Sequence, residues 1–211
     1  MERNYSMEIA DELKNYLKNN DWNFRFDDDR GVFSFGLNIR SKLKKIRYII
    51  GVNEDSYVVY AASPISADED DDDQMKRIAE FVCRANYGLQ VGNFELDFRD
   101  GEVRYKCYVS CDGVIPTTEM ITESVHCPAA MFTRYGDGII QVLFNDASAE
   151  QTIAVCEGMI PNSVSSPEGA TDAKEHVDEP SHDMDSERVL SLLRMLQEEE
   201  HDTDDAVPAS D

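Results

Sequence analysis

The chain has 211 residues, with 20 basic and 43 acidic side chains and a net charge of −23. That balance argues against naked nucleic acid as a direct partner, because phosphate binding needs a basic footprint. No run reaches the roughly 18 apolar residues of a membrane span, and the start MERNYSMEIADELK lacks the apolar core of a secretory signal. The expectation is a cytoplasmic protein whose five scattered cysteines stay reduced.

Taken in chain order, Ser6 is placed to cap a helix over about residues 7–19, with Ile9, Leu13, Tyr16 and Leu17 on one face. Trp22, Phe24 and Phe26 alternate before a turn at residues 27–31, and Phe33, Phe35, Leu37 and Ile39 mark one face of a strand. RSKLKKIR follows at residues 40–47, with five bases, Arg40, Lys42, Lys44, Lys45 and Arg47. It can meet phosphate or an acidic partner; the plainer reading is a solvated strand edge whose lysines block pairing. Ile46, Tyr48, Ile50 and Val52 alternate in the next strand, and a further strand covers residues 57–62, with Pro64 ending it.

ADEDDDD, residues 67–73, has no glycine to turn a Ca²⁺ loop. Its acids suit the start of a helix over about residues 73–87, with Met75, Ile78, Ala79, Val82 and Ala85 buried. Two alternating runs then flank Asp100-Gly101, a signal for a two-residue hairpin turn. That turn sets Arg99 against Glu102, Asp97 against Arg104 and Glu95 against Lys106, all opposite charges. The inward pairs become Phe98 with Val103, Leu96 with Tyr105 and Phe94 with Cys107. After Pro116, Thr117 or Thr118 caps a short helix, and Pro128 suits the first turn of another carrying Phe132, Tyr135, Ile139, Val142 and Leu143. Gly136-Asp137-Gly138 opposes that second helix. Ser148 and Gln151 form a capping box for a last helix to about Cys156.

From about residue 158 Pro, Ser, Asp, Glu and His dominate, and the expectation is a folded unit over 1–157 with a mostly disordered acidic tail over 158–211. Residues 157–211 hold 16 acids and 3 bases. Within the tail, residues 186–200 place Val189, Leu193 and Leu196 on one helical face, widened by Leu190. A lone helix of that length is marginal in water, so it wants a groove on a partner or on its own body.

Chemistry-bearing residues are few. His126 is the one histidine before the tail, and its neighbour Cys127 points about 100° away on a helix. An unrecognised catalytic site on His126 or the Asp27–Asp29 cluster is the alternative to a binding protein. Cys107 and Cys111 read as small apolar residues of the core. No cofactor or metal motif is present in the sequence.

The stretch NYGLQVGNFELDFRDGEVRYK resembles the signature of the YbjN family, through Asn86-Tyr87, Gly92, Phe94-Glu95-Leu96-Asp97 and Asp100-Gly101. The resemblance covers about residues 5–157. It implies a fold similar to class I type III secretion chaperones, with a twisted antiparallel sheet of five or six strands and helices packed on it. The expected order is helix, three strands, helix, two strands, helices: an α+β protein. It implies a non-enzymatic adaptor, peptide-binding chaperone or signal-transduction regulator that binds a protein or peptide partner, and, by analogy, a homodimer. No catalytic residue is carried over.

Overall fold

Apolar residues at every second position drive the chain into a six-stranded antiparallel sheet in the order β1-β2-β3-β4-β6-β5. The strands are β1 (Arg25–Asp27), β2 (Val32–Asn38), β3 (Lys45–Val52), β4 (Ser56–Ser66), β5 (Asn93–Leu96) and β6 (Glu102–Ser110). The helices are α1 (Met7–Asn19), α2 (Asp72–Asn86), α3 (Thr118–Phe144) and α4 (Ala149–Cys156). The computed structural model describes residues 4–159. The tail, with Val189, Leu190, Leu193 and Leu196, lies outside the described residues.

All four helices share one core with one face of the sheet. Phe33, Phe35, Tyr48, Ile50, Tyr57, Val59, Tyr105 and Cys107 supply the sheet side and are buried. Ser6 caps α1 as expected, its hydroxyl accepting from the Ile9 N–H. The acids before α2 cap it: Asp71 accepts from the N–H groups of Asp73 and Gln74. Phe81, absent from the expected buried face of α2, is fully buried there, while Ala79 is only half-buried.

The sheet differs from expectation at three places. Four strands, not three, precede α2, because Arg25–Asp27 pairs with β2. Pro64 does not end β4, which continues to Ser66. The register of β4 on β6 shifts between Ala62 and Ser66, and β3 last pairs with β4 at Ala62. A proline lacking an N–H is tolerated at such an irregular, one-sided stretch.

The third difference is the β5–β6 hairpin. Its pairs are Phe94 with Tyr105, Glu95 with Arg104 and Leu96 with Val103, two residues from the expected register. A type I′ turn needs positive φ at both central residues, but only Gly101 has it, at +68°. The connection is a four-residue loop, residues 98–101, closed by the Gly101 N–H donating to the Asp97 carbonyl at 2.8 Å. A shift of two preserves the faces, so Phe94, Val103 and Tyr105 remain buried. Phe98 alone is lost to solvent, 65% exposed. The charges re-pair: Glu95 with Arg104 at 2.7 Å and Lys106 at 3.2 Å, Asp97 with Arg99, and Glu102 with Arg47.

Helix α3 runs unbroken for 27 residues through Pro128 and through Gly136-Asp137-Gly138. A proline inside a helix removes an N–H and crowds the preceding turn. Tyr48 enters the crowded turn: its hydroxyl donates to the Val125 carbonyl at 2.9 Å. The two glycines admit neighbours. A Cβ at Gly136 would lie 2.6 Å from the Ser41 Oγ, and one at Gly138 would lie 2.8 Å from both the Cys156 Sγ and the Phe81 ring. In α4, Ser148 occupies the cap position but makes no side-chain capping bond, so the expected capping box is not formed.

Candidate functional site

The residues that suggested catalysis are occupied by the fold. His126 is buried, its Nε2 3.0 Å from the Tyr16 hydroxyl, with the Trp22 ring edge-on against it. It joins α1 to α3. Asp27 turns the β1–β2 hairpin, its Oδ1 accepting from the N–H groups of Asp29 and Arg30. The Asp28 carbonyl accepts from the Tyr5 hydroxyl at 2.7 Å.

The cysteines of the body pack as the sequence implies. Cys107, Cys111 and Cys127 are buried. A hydrogen bond with Cys127, reinforced by burial, pushes the Cys107 thiol well up. Burial raises Cys111 and holds Cys156 at about 11.

The hairpin motif has mainly structural work. Asn86, at the end of α2, clamps the Phe94 backbone from both sides: its Oδ1 accepts from the Phe94 N–H at 2.7 Å and its Nδ2 donates to the Phe94 carbonyl at 2.9 Å. These are the groups that an incoming strand would use at edge strand β5, so the carboxamide blocks strand addition there. Gly92 has φ +73°, and a Cβ there would lie 2.5 Å from the Lys106 carbonyl oxygen. Gly101 packs against the Ala67 backbone, its carbonyl accepting from the Ala67 N–H. Tyr87, by contrast, is 91% exposed.

Among the described residues the helices gather on one side, and no helix covers the other side of the sheet. Side chains alternate along strands, so the registers assign its rows. Val32, Gly51, Val58 and Tyr108 form one; Ser34, Ile49, Tyr60 and Lys106 the next; Gly36, Arg47, Ala62, Arg104 and Glu95 the third. Tyr108 is 60% exposed and Ile49 37%, and Val58 and Tyr60 are half-buried. The Arg104 guanidinium lies 4.4 Å over the Tyr60 ring. The face thus has an apolar, aromatic middle bordered by ion pairs, Arg104 and Lys106 with Glu95 and Arg47 with Glu102.

The basic stretch continues that border. Residues 40–44 form the β2–β3 loop, and Lys45 and Arg47 lie in the interior strand β3, not on a sheet edge as expected. Asp137 fixes the loop: its Oδ1 accepts from the Ser41 hydroxyl at 2.8 Å and the Lys42 N–H at 2.7 Å. Lys44 holds φ +64°, a strained value for a residue with a side chain. Arg40, Lys42 and Lys44 are all exposed.

Sequence reasoning missed the apolar middle of this face. The signal is present: Ile49, Val58 and Tyr108 are apolar residues at positions where the alternation calls for polar ones. Among the described residues, no helix is long and apolar enough to cross a membrane. No family model matches the chain, and no curated protein is significantly similar to it.

Proposed function

We propose that this chain is a non-enzymatic adaptor or chaperone-like protein that binds a protein or peptide on the open face of its sheet, with Ile49, Tyr60 and Tyr108 as apolar anchors. The observation that carries this reading is the one-sided sheet of the described residues, with an aromatic middle and an ion-paired border turned to solvent. An exposed patch of this kind, rimmed by polar groups, marks an interaction surface, and Tyr and Arg are enriched among residues that dominate binding. The occupied roles of His126 and the Asp27–Asp29 cluster favour binding over catalysis. The resemblance of residues 86–106 to the YbjN family, and through it to secretion chaperones, points the same way. A cytoplasmic location belongs to the same proposal.

Secretion chaperones bind partners along strand edges and apolar grooves. Here the β5 edge is blocked by Asn86 and β1 offers three residues, so the face is the better surface. The test is photo-crosslinking in living cells from position 108 and, as a control, from exposed Glu150 on α4. The reading expects a distinct polypeptide adduct from 108 and none from 150. The purified adduct partner should then bind the chain, and bind Tyr108→Glu at least about tenfold more weakly, given the share of energy carried by such anchors. Absence of any polypeptide adduct at 108 would overturn it.

A further inference from the structure

We infer that residues 186–205 of this chain seat on the open sheet face and compete there with the external partner. The inference rests on the proposed use of that face for binding, and names what holds it when no partner is present. Three observations converge on this segment as the occupant.

The first is the order of chemistry along the tail. Val189, Leu190, Leu193 and Leu196 come first and share a helical face; Glu198, Glu199, Glu200, Asp202, Asp204 and Asp205 follow at once. The sheet presents the matching order. Its apolar middle at Ile49, Tyr60 and Tyr108 gives way to the ion-paired Arg47 and Arg104, and then to Lys45 and the basic loop of residues 40–44.

The second is charge. Residues 157–211 hold 16 acids and 3 bases, and residues 1–156 hold 27 acids and 17 bases. In a body this acidic, residues 40–47 carry five bases and no acid. They are the natural counterpart of the acidic run, and exposed opposite charges attract within a screening length of about 8 Å at physiological salt. Asp137 holds the backbone of that loop through the Ser41 hydroxyl and the Lys42 N–H, so its bases leave the sheet from one fixed place.

The third is reach. The described chain ends after α4, which packs on α2, and α2 packs on edge strand β5. Residues 160–185 separate the two regions, and 26 residues reach at most roughly 86–94 Å at full extension. A body of this size has a radius of gyration of about 15 Å, and closing such a loop costs only logarithmically with its length.

The experiment places a photo-crosslinking benzoylphenylalanine at position 108 of the purified full chain and maps adducts by mass spectrometry. The expected result is an adduct at monomer mass that joins position 108 to residues 186–205. Its yield should fall about tenfold or more with Leu190→Asp and Leu193→Asp together, and fall again in 1 M salt, where screening shortens to about 3 Å. Those substitutions leave residues 4–159 unaltered in sequence, and unchanged amide NMR shifts in the core strands confirm that the body is intact. An adduct at dimer mass would assign the face to a second copy and overturn the inference, as would a chain with no adduct to 186–205. The two readings fail separately. An intramolecular adduct with no partner in cells sinks the external function; a partner in cells with no intramolecular adduct sinks tail docking.

Discussion

At the scale of single residues, two side chains do repairs that their neighbours make necessary. Tyr48 is fully buried, and its hydroxyl donates to the Val125 carbonyl in the turn that Pro128 crowds in α3. Burial pushes its own ionisation well above the ordinary tyrosine value, so it stays a neutral donor. Tyr48→Phe keeps the ring and takes the hydroxyl donor from the Val125 carbonyl. Stability should fall by about 1–3 kcal/mol, seen as a lower urea midpoint at unchanged slope; an unchanged midpoint would mean the hydrogen bond adds nothing. Asp97 shows the electrostatic counterpart. The Arg99 side-chain and backbone hydrogen bonds hold its carboxyl at about 2, below the ordinary 3.8. A depressed carboxyl stabilises the folded state above its ordinary value and loses that contribution as pH falls through the folded one. The advantage of the natural chain over Asp97→Asn should therefore be constant above about pH 4 and shrink towards pH 2. The site faces solvent, so the effect is small. A difference in unfolding midpoint that grows on acidification would contradict the assignment.

At the scale of elements, α3 organises the molecule, and its glycines are where packing overrules propensity. Gly138 lets α4 and α2 approach, with the Cys156 Sγ and Phe81 ring each 2.8 Å from where a Cβ would sit. An alanine in a helix interior gains about 1 kcal/mol over glycine, while overpacking a filled core costs about 1–3 kcal/mol. Gly138→Ala should lower stability by up to about 2 kcal/mol on balance. A raised melting temperature would show that the helices yield without cost.

The same helix marks how far the sequence was legible. Local signals located α1, its Ser6 cap, the acidic cap of α2 and the faces of β2, β3, β5 and β6, because periodicity and capping are short-range. They failed where a distant residue decides. The unbroken α3 depends on Tyr48, 80 positions before Pro128 in the chain. The hairpin register depends on the Ala67 backbone receiving Gly101. The basic stretch was legible as a stretch, but its fixing by Asp137 and its place beside an apolar face were not. Nothing local to residues 40–47 signals a carboxylate at position 137 or a tyrosine at 108.

At the scale of the whole molecule, the arrangement of the described residues is asymmetric: four helices cover one side of a six-stranded sheet, and none of them covers the other. The covered side gives the fold its stability, and the open side is free to be shaped by binding. The two should therefore respond independently to substitution. Ile49→Glu with Tyr108→Glu touches only the open side, and surface changes away from caps and cores usually shift stability by less than about 0.5 kcal/mol. The most direct test is the affinity of this double variant for the polypeptide captured in cells from position 108, measured by calorimetry beside the natural chain. The account predicts binding at least about tenfold weaker, with the urea midpoint unchanged. Equal affinity of the two chains would contradict the claim that the open face is the binding surface.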